Sequence, residues 1–568
     1  MPSTLHMPLR LKTKTSSIRS YLRIDSPKLV RHAEDCLIDK LPIHVVNEIG
    51  QRIESLVDLV NLSLCSRRMR SLLAPSLYSQ VELKSNKQCK STLVLLSKRP
   101  EYARYVRRLR VCPNSVEWTA PGEEIDEGLV ANLICSIVPQ LRSLEYFAWD
   151  GWEQPSENLW AALRKSCSQL RGVSSVIGDQ PLNPSSQLFA FSNLSQFSIT
   201  VKTKSLEWLA AGPPKAERLP RRLWEMLIER CPRLEELSFA AVAPAHRMFD
   251  IRNILLGRWP RLRSLTLGDT ILQGTSKDDA AVIQDLQNFN RFFILHSKLQ
   301  HIACQHAGGS TTFPSSFSLP FSALPRLESF HGPLKYLRTL PHPEKLRHLT
   351  LTSLHHTMTS FQPTFTALQD FPNLETMHVW VDLSFGGQLY LQDESHLFNT
   401  FLTACPVLRH LQLMCFSRPT FRLRDFSRAL RSAPNLESFT LIKMYKSSDE
   451  DMTSSAVRIL QENPHIEKFT LKYTQDRWPT MSNGRLKQMG VYRSICDEFG
   501  YPESVQGSEW KLKSFGTVSS RTFNHSLAAK LSFSPGWEAR SPRSSFSSDS
   551  RSWHRRTGSQ SSFVMVAP

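Results

Sequence analysis

Three histidines, His348, His355 and His356, lie closest to a pattern that could do chemistry. A zinc site would require further cysteine, histidine or carboxylate ligands at short spacing. No carboxylate or cysteine stands at such a spacing from these three. We therefore predict surface histidines, with His348 on a strand and the other two in a loop. No metal site is expected.

Motifs that would indicate catalysis are missing from the sequence. There is no Gly-x-Ser-x-Gly elbow to present a nucleophile and no His-Glu-x-x-His to bind zinc. There is also no Gly-x-Gly-x-x-Gly and no phosphate loop to hold a nucleotide. The sequence predicts a protein that is not an enzyme, requires no cofactor and acts by binding.

The 11 cysteines are scattered, and no two form a Cys-x-x-Cys pair. Cys231 and Cys405 occupy equivalent places in the repeat described below, as small apolar residues would. This usage favours a reduced, intracellular protein in the cytoplasm, the nucleus or both. The sequence has no apolar run of about 18 residues, so we expect no membrane-spanning segment.

The chain has a formal net charge of +19 and a calculated isoelectric point of about 9.6. Such a charge is compatible with nucleic acid, an acidic membrane surface or an acidic partner. The basic residues are spread along the chain, however, and form no run interleaved with aromatic residues. The favoured explanation of the net positive charge is that the basic residues are solvated at the surface. Binding to nucleic acid is the least favoured function.

A recurring pattern, Pro-x-Leu-x-x-Leu-x-Leu, organises the chain between about residues 100 and 473. It reads Trp-Pro-Arg-Leu-Arg-Ser-Leu-Thr-Leu from Trp259 to Leu267. Leu265 and Leu267 are two residues apart, so on a strand both side chains point to one face. Each copy therefore predicts a short, half-buried strand. Other copies begin at Cys231, Leu324, His342, Phe371, Cys405, Ala433 and Asn463.

The copies recur at irregular distances. Leu234 and Leu262 are 28 residues apart, as are Leu408 and Leu436, whereas Leu262 and Leu299 are 37 apart. A proline after each helical pattern removes an amide donor and discourages further helix. Helix, proline and strand thus form the repeating unit. Helical patterns of this kind occupy 223–230, 397–402 and 426–430.

This unit resembles the leucine-rich repeat over more than half of the chain. The resemblance implies an α/β fold, a right-handed leucine-rich-repeat solenoid of parallel strands with helices. Members usually have asparagine or cysteine three residues after the last leucine. This chain departs from that pattern and resembles a degenerate type, with Thr270, Leu354, Phe416, Met444 and Thr474 at those positions. An α/β sheet of another topology and an all-helical armadillo-like array are the alternatives, and the recurring Leu-x-Leu weighs against the second.

Residues 41–83 predict a separate unit of three short helices. Pro42 suits the first turn of a helix, and Ser55 followed by Asp58 resembles a variant capping box at the start of a second helix. A third helix is predicted from about Ser66 towards Tyr78. A unit this small cannot bury all of its leucines, so part of its apolar surface must face another body.

The same unit resembles an F-box in its Leu41-Pro42, its spaced apolar residues and its Cys65-Ser-Arg-Arg-Met69 segment. In that family the helices bind a Skp-family adaptor, which joins the protein to a cullin-RING ubiquitin ligase. Met69 departs from the family, which usually has tryptophan there. A second interpretation is that these leucines only pack under the first repeat. The resemblance implies adaptor contacts at Leu41, Pro42, Val46, Ile49, Ile53, Leu59, Leu62, Cys65 and Met69.

The phasing of the repeat separates buried positions from exposed ones. The leucines at 265, 349, 411 and 441 are expected at equivalent, buried positions. The residues just after each first leucine alternate in charge, and a parallel stack would make them neighbours about 4.8 Å apart; they are Glu328, Arg347, Glu375, Arg409 and Glu437. Outward-facing candidates for binding a target are Thr266, Thr350, Thr376, His378, His410, Gln412 and Thr440.

Composition divides the chain into five segments. They are a disordered basic leader (1–35), the F-box-like unit (36–83), the repeat array (84–475), a C-terminal cap (476–532) and a disordered Ser/Arg-rich tail (533–568). We expect a helix at 93–105, the first strand of the array at 106–111, a capping helix at 485–499 and a closing strand at 509–515. Loops are expected at 118–128, 178–190, 202–222, 241–250, 304–322 and 382–396.

These observations predict a substrate-recognition subunit of a cullin-RING ubiquitin ligase. Its helical unit would bind a Skp-family adaptor, and its strands would bind a protein target whose identity the sequence does not give. The alternative is a non-catalytic repeat scaffold that works independently of ubiquitin ligation. A nucleic-acid-binding repeat protein is a third, weaker alternative.

Overall fold

Leucines two residues apart form strands here because alternate side chains can then share one buried face. In the computed structural model, strands from successive repeats lie side by side in one sheet of 17 strands. The structure describes residues 41–53, 55–115, 118–119, 122–202, 215–241, 247–268, 270–271, 279–305, 319–355, 366–382, 394–415, 421–443, 451–474, 486–499, 501–512 and 518–526. The predicted leader, the predicted tail and His356 lie outside these residues.

The described residues contain twenty strands, which are numbered in chain order. They are β1 (Gln80–Leu83), β2 (Arg108–Val111), β3 (Tyr146–Trp149), β4 (Gly172–Ile177), β5 (Gln196–Val201), β6 (Lys215–Arg218), β7 (Glu236–Ala241), β8 (Arg247–Asp250), β9 (Ser264–Gly268), β10 (Thr270–Ile271), β11 (His301–Gln305), β12 (Ser329–Gly332), β13 (His348–His355), β14 (Thr376–Asp382), β15 (His410–Cys415), β16 (Ser438–Lys443), β17 (Lys468–Thr474), β18 (Leu486–Cys496), β19 (Pro502–Leu512) and β20 (Val518–Ser526). Strands β6, β8 and β10 form a small parallel sheet of their own.

Helices precede most strands, as the repeat predicts. The first three are α1 (Ile43–Arg52), α2 (Leu56–Leu64) and α3 (Arg67–Ser79). The other α-helices are Asn86–Lys98, Pro100–Ala103, Glu127–Ile137, Glu157–Ser166, Arg221–Glu225, Asp279–Leu295, Leu334–Leu337, Glu394–Thr403, Leu423–Ala429 and Met452–Glu462. Short 3₁₀ segments are Val138–Gln140, Gln187–Ala190, Arg252–Leu256, Pro343–Lys345 and Leu430–Ser432, and Met226–Arg230 is a π turn.

Neighbouring strands of the large sheet follow the order of the chain, and from β1 to β17 every pairing is parallel. The residue just before each strand donates its amide to the equivalent residue of the preceding repeat. Arg347 donates to the carbonyl of Glu328 at 2.8 Å, and Glu437 donates to that of Arg409 at 2.9 Å. This long parallel sheet with helices is an α/β arrangement compatible with the predicted solenoid.

Inward-facing side chains of the strands and the buried faces of the helices form one continuous core. Leu265, Leu349, Leu411 and Leu441 are all buried, as predicted, with exposures of 1%, 1%, 4% and 1%. Leu441, however, pairs in register with Leu413 rather than with Leu411, whose partner is Phe439. The predicted equivalence of Leu441 is therefore wrong by two residues, because phenylalanine fills the leucine position in this repeat.

The start of the array differs from the prediction. The first strand is β1, and Arg108–Val111 is the second, with Leu83 paired to Val111. The expected helix at 93–105 instead spans Asn86–Lys98 and is followed by a short turn from Pro100. Ser85 caps the longer helix through a reciprocal bond with Gln88, a signal that the leucine pattern does not carry.

The end of the array also differs. The expected helix at 485–499 is wrong: this segment forms β18, which pairs antiparallel with β17 and begins a three-stranded meander of β18, β19 and β20. Buried Gly490, Tyr492 and Ser494 alternate with the exposed Val491 and Arg493, which is a strand period. The closing strand predicted at 509–515 exists but begins at Pro502.

The segments expected to be loops include short elements. Part of 202–222 and part of 241–250 form β6, β8 and the helix from Arg221. Of the positions that depart from the asparagine pattern, Thr270 begins β10, Leu354 lies on β13 and Thr474 ends β17, whereas Phe416 and Met444 lie outside the described residues.

In the early repeats of the array, glutamate carboxylates accept hydrogen bonds from the backbone amides of loops. They take the place of the asparagine ladder of typical leucine-rich repeats. Glu127 accepts from the amide of Trp152 at 2.9 Å, Glu153 from that of Asp179 at 2.9 Å and Glu157 from that of Gln187 at 2.6 Å. A charge-assisted bond of this kind satisfies amides that the repeat leaves free. Each bond links one repeat to the next.

We predict that Leu411→Ala lowers the free energy of unfolding by about 2–5 kcal/mol, because it leaves a cavity in the core. Leu256, which is 66% exposed, provides a matched control, since Leu256→Ala should change stability by less than about 0.5 kcal/mol. Chemical denaturation of the three proteins measures both values. Equal stability of Leu411→Ala and wild type would contradict the phasing.

The register of the alternating charges is confirmed by backbone bonds from Glu328 to Glu437. Arg347 Nη1 lies 3.8 Å from Glu375 Oε1, and Arg409 Nη1 lies 3.3 Å from Glu437 Oε1. These side chains are 39–59% exposed, so each pair should contribute only about 0–1 kcal/mol.

We expect Arg409→Glu to destabilise the fold at low ionic strength, because it places three acids on neighbouring strands. Adding Glu375→Arg and Glu437→Arg should restore much of the loss. The two variants are compared by thermal denaturation at low and high salt. A triple variant no more stable than Arg409→Glu at low salt would show that the charges do not interact.

Candidate functional site

The helical unit at the start of the described chain has a small core of its own. Val46, Leu59, Met69 and Leu73 are at most 4% exposed and pack together. Gly50 lets α1 approach α3, since an added Cβ would lie 2.7 Å from Leu73 Cδ2. Val46, Leu59 and Met69, which were expected to contact an adaptor, lie in this core. Methionine fills this core without a polar atom to satisfy.

The remaining predicted adaptor residues reach the surface to different degrees. Pro42, Ile49 and Cys65 are exposed. Those that are half-buried against the small core are Leu41, Ile53 and Leu62. The guanidinium of Arg68 donates to the carbonyl of Leu41 at 2.7 Å, which fixes the start of the unit.

Helix α2 exposes more apolar surface than the sequence analysis assigned to binding. Leu56, Val57, Val60 and Leu64 are 62%, 68%, 39% and 61% exposed. Three of them are four residues apart and so share one side of the helix. We call these four residues the α2 apolar surface. Ile43 of α1 is also 58% exposed. The small size of the unit predicted that some apolar surface would be exposed. It did not predict that this surface would lie on α2.

The unit is joined directly to the array. The rings of Tyr78 and Tyr102 stack with centroids 4.5 Å apart, and Arg107 donates its amide to the carbonyl of Ser79 at 2.9 Å. A cleft of about 980 Å³ lies between unit and sheet, and Leu56 lines it together with Ile53. The α2 apolar surface therefore continues into this cleft.

The second candidate surface is the outward face of the large sheet, formed by the side chains that alternate with the buried leucines. The predicted target-binding residues fall on two rows of this face. Thr376 and His410 pair with each other in one row. The other row contains Thr266 on β9 and, after Ala303 and His331 on the two strands between, Thr350, His378, Gln412 and Thr440 on successive strands. All seven are half-buried.

The first strands of this face carry charged and aromatic side chains that the sequence analysis did not single out. The guanidinium of Arg108 lies 4.4 Å from the ring centroid of Tyr146, a cation–π contact. Gly172 gives that ring room, because an added Cβ would lie 2.4 Å from it. These side chains lie on different repeats, so only the fold brings them together.

Asp150 joins two cations beside the same strands. Arg110 Nη2 lies 2.7 Å and Lys202 Nζ 2.5 Å from its carboxylate oxygens. Burial raises the pKa of Asp150, but the two cations outweigh burial and hold the pKa below its ordinary value. Lys202 also donates to the carbonyls of Asp150 and Gly151, each at 3.2 Å. This network fixes the chain after β3 and leaves Lys202 with no donor for a ligand.

Five successive strands, β11 to β15, each place one histidine on the outward face. The ring of His331 meets that of Trp380 edge-on at 6.4 Å, and its Nε2 atom is covered, with no partner among the described residues. Burial and, to a smaller extent, the nearby His378 lower the pKa of His331 to about 4. The five residues are His301, His331, His348, His378 and His410. Of these five, only His378 and His410 were predicted from the sequence to bind a target.

The described residues offer neither a metal site nor a membrane-spanning helix. No group of histidine, cysteine, aspartate or glutamate side chains there could hold a metal ion. His348 lies on β13, as predicted; His355 ends the same strand, although a loop was expected there. No helix in the described ranges is long and apolar enough to cross a membrane.

Comparison with known proteins identifies no family for this chain. No protein-family model matches it, and no curated protein does. The crystal structure of the Rad7 and Elc1 complex in yeast aligns with 73% of this chain and 92% of that chain, at 11% sequence identity and a TM-score of 0.33. At this identity and TM-score the likeness supports no statement about the function of this chain.

We predict that the fold loses stability as the pH falls from about 6.5 to about 4. An unfolded histidine binds a proton below about pH 6.5, whereas burial lowers the pKa of His331 to about 4 in the folded chain. The unfolded state then binds more protons in this interval, so acid favours unfolding. Burial also lowers the pKa values of His296, His378 and His465.

The measurement is the melting temperature at about pH 7.5 and about pH 5, above the range in which most carboxylates titrate. The difference between the two values should be smaller in His331→Thr than in wild type. Thr350→Val, a neighbour in the same row, is the non-titrating control and should keep the wild-type difference. An unchanged difference in His331→Thr would refute this assignment.

Proposed function

We propose that the protein is a non-enzymatic substrate-recognition subunit of a cullin-RING ubiquitin ligase. The helical unit binds a Skp-family adaptor, and the outward face of the sheet binds a protein target. The complex works in the cytoplasm, the nucleus or both. The proposal combines the F-box resemblance of residues 41–83 with the two surfaces described above.

The α2 apolar surface is the observation that carries the proposal. Leu56, Val57 and Leu64 are each more than 60% exposed, on a unit whose own core consists of four buried side chains. Exposed apolar patches of this kind on small units mark protein interaction sites. Burying such a residue fully would contribute about 1.5–3 kcal/mol. This contribution is available only when a partner covers the helix.

A repeat scaffold that works without a ligase is the second candidate. The observation that favours it is the direct packing of the unit on the array through Tyr78 and Tyr102, since a terminal unit of a solenoid can serve as a cap. A cap would protect the first strand but would have no use for the α2 apolar surface. Capture of the adaptor separates the two functions.

We predict that the full-length protein retains a purified Skp-family adaptor in a pull-down, and that Leu56→Ser combined with Leu64→Ser abolishes this retention. Two leucines on one side of α2 are lost, while the buried core of the unit is untouched. Circular dichroism and melting temperature should remain those of the wild type.

The matched control is Leu256→Ser, because Leu256 is equally exposed, at 66%, but lies on the array. It should retain the adaptor fully. Undiminished recovery with the double variant would exclude α2 as the docking helix. If even the wild type retains no adaptor, the ligase function is excluded and the scaffold remains.

A further inference from the structure

The charges and polar groups at the beginnings of strands β12 to β16 alternate with a period of two strands. Strands β12 and β14 follow a glutamate, begin with serine or threonine and place histidine two residues later. Strands β13 and β15 follow an arginine and begin with histidine. The segments are Glu328-Ser-Phe-His331, Arg347-His-Leu-Thr350, Glu375-Thr-Met-His378 and Arg409-His-Leu-Gln412.

This alternation places the histidines in a zigzag across the outward face. Adjacent strands lie about 4.8 Å apart, but no histidine of the five has another histidine as its register partner. Each lies beside a small or polar residue, and His410 Nδ1 is 2.8 Å from the hydroxyl of Ser438. The register pairs are His301 with Ser264 and Ser329, His331 with Ala303 and Thr350, His348 with Ser329 and Thr376, His378 with Thr350 and Gln412, and His410 with Thr376 and Ser438.

When imidazoles of the zigzag gain protons, the two described rows contain no carboxylate to pair with the positive charge. The two rows of β9 and β11–β17 contain hydroxyl, amide and imidazole groups together with Lys468, and no carboxylate. At the edge below them lie three arginines and four glutamates, which alternate in charge as far as Glu437, and two pairs are bridged. These charged neighbours are Arg263, Glu328, Arg347, Glu375, Arg409 and Glu437, followed by Glu467 beside Lys468 on β17.

We propose that the histidine zigzag is the part of the sheet that binds the protein target, and that it accepts an acidic segment rich in aspartate or glutamate. Imidazole N–H groups and the hydroxyls between them donate hydrogen bonds to the carboxylates. This rests on the proposed target-binding role of the outward face and names the chemistry of the target. It does not depend on which adaptor binds the helical unit.

Proton uptake follows from this arrangement. A carboxylate close to an imidazole favours its protonated form, and histidine is the side chain whose charge changes between about pH 5 and 8. Binding an acidic segment therefore takes up protons, and its affinity increases as the pH falls. His331 and His378 contribute less, because burial lowers the pKa of both. His301, His348 and His410 lie in the row nearer the strand starts and are the histidines replaced in the test below.

The test uses the full-length protein and a fluorescein-labelled glutamate-rich peptide of about ten residues, long enough to cross five strands. The control peptide has glutamine in place of every glutamate. Fluorescence anisotropy should show about ten-fold tighter binding of the acidic peptide at about pH 5.5 than at about pH 7.5, and little binding of the control. Calorimetry in two buffers of different ionisation enthalpy should detect the proton uptake.

The deciding variant combines His301→Gln, His348→Gln and His410→Gln, which keep hydrogen-bonding groups but cannot be charged. It should lose the pH dependence, whereas His44→Gln, at an exposed histidine of α1, should keep it. Equal pH dependence in the triple variant, or equal binding of the glutamine peptide, would overturn the proposal, because binding would then follow the general positive charge. The circular dichroism of each variant at both pH values verifies folding.

Adaptor capture by the triple variant separates this inference from the proposed ligase function. Retention of the adaptor together with loss of pH-dependent peptide binding supports both. If the wild-type protein binds the acidic peptide as described but captures no adaptor, the ligase function fails and the histidine zigzag stands.

Discussion

The structure depends on hydrogen bonds between each strand and its two neighbours. A single repeat has a strand of four to eight residues with unpaired amides on both edges and two or three apolar side chains on one face. Within one repeat the buried amides find no hydrogen-bond partners, which they need. The apolar side chains likewise find no second layer of structure to cover them. Stacking supplies both at once. The register that pairs Arg347 with Glu328 in the backbone also aligns Leu349 with Phe330 in the core.

The leucine spacing was sufficient to predict most strands of the array, their common face and the register of the charged positions. These features depend on a period of two within a strand and on equivalent positions between repeats, both visible in the sequence. The position assigned to Leu441 was wrong because Phe439 takes the place of a leucine, and size alone does not distinguish the two in a core. The strand Gln80–Leu83 was missed because it lacks the Pro-x-Leu-x-x-Leu-x-Leu spacing, although its polar and apolar residues alternate.

The ends of the array could be predicted least. At the C-terminal end the capping helix expected from residue 485 is a meander, whose stability depends on contacts distant in sequence. Phe439 and Phe469 stack at 4.9 Å, and Phe469 and Tyr492 at 5.0 Å. The hydroxyl of Tyr492 donates to Glu509 at 2.9 Å. Likewise, the location of the α2 apolar surface depends on which side of α2 packs against Leu73, and the helical period alone does not give this choice.

The two-strand alternation has a consequence for how this array can change in length. Removing one repeat between β12 and β16 would bring two glutamates or two arginines side by side at the strand starts and would place histidine beside histidine or interrupt the zigzag. Removing two neighbouring repeats would restore every charge and every histidine to a compatible neighbour. The smallest segment that can be gained or lost without conflict is therefore a pair of repeats, although each repeat has its own helix and strand. In this part of the molecule, the segment that preserves the charge order and the histidine spacing is therefore twice as long as the structural repeat.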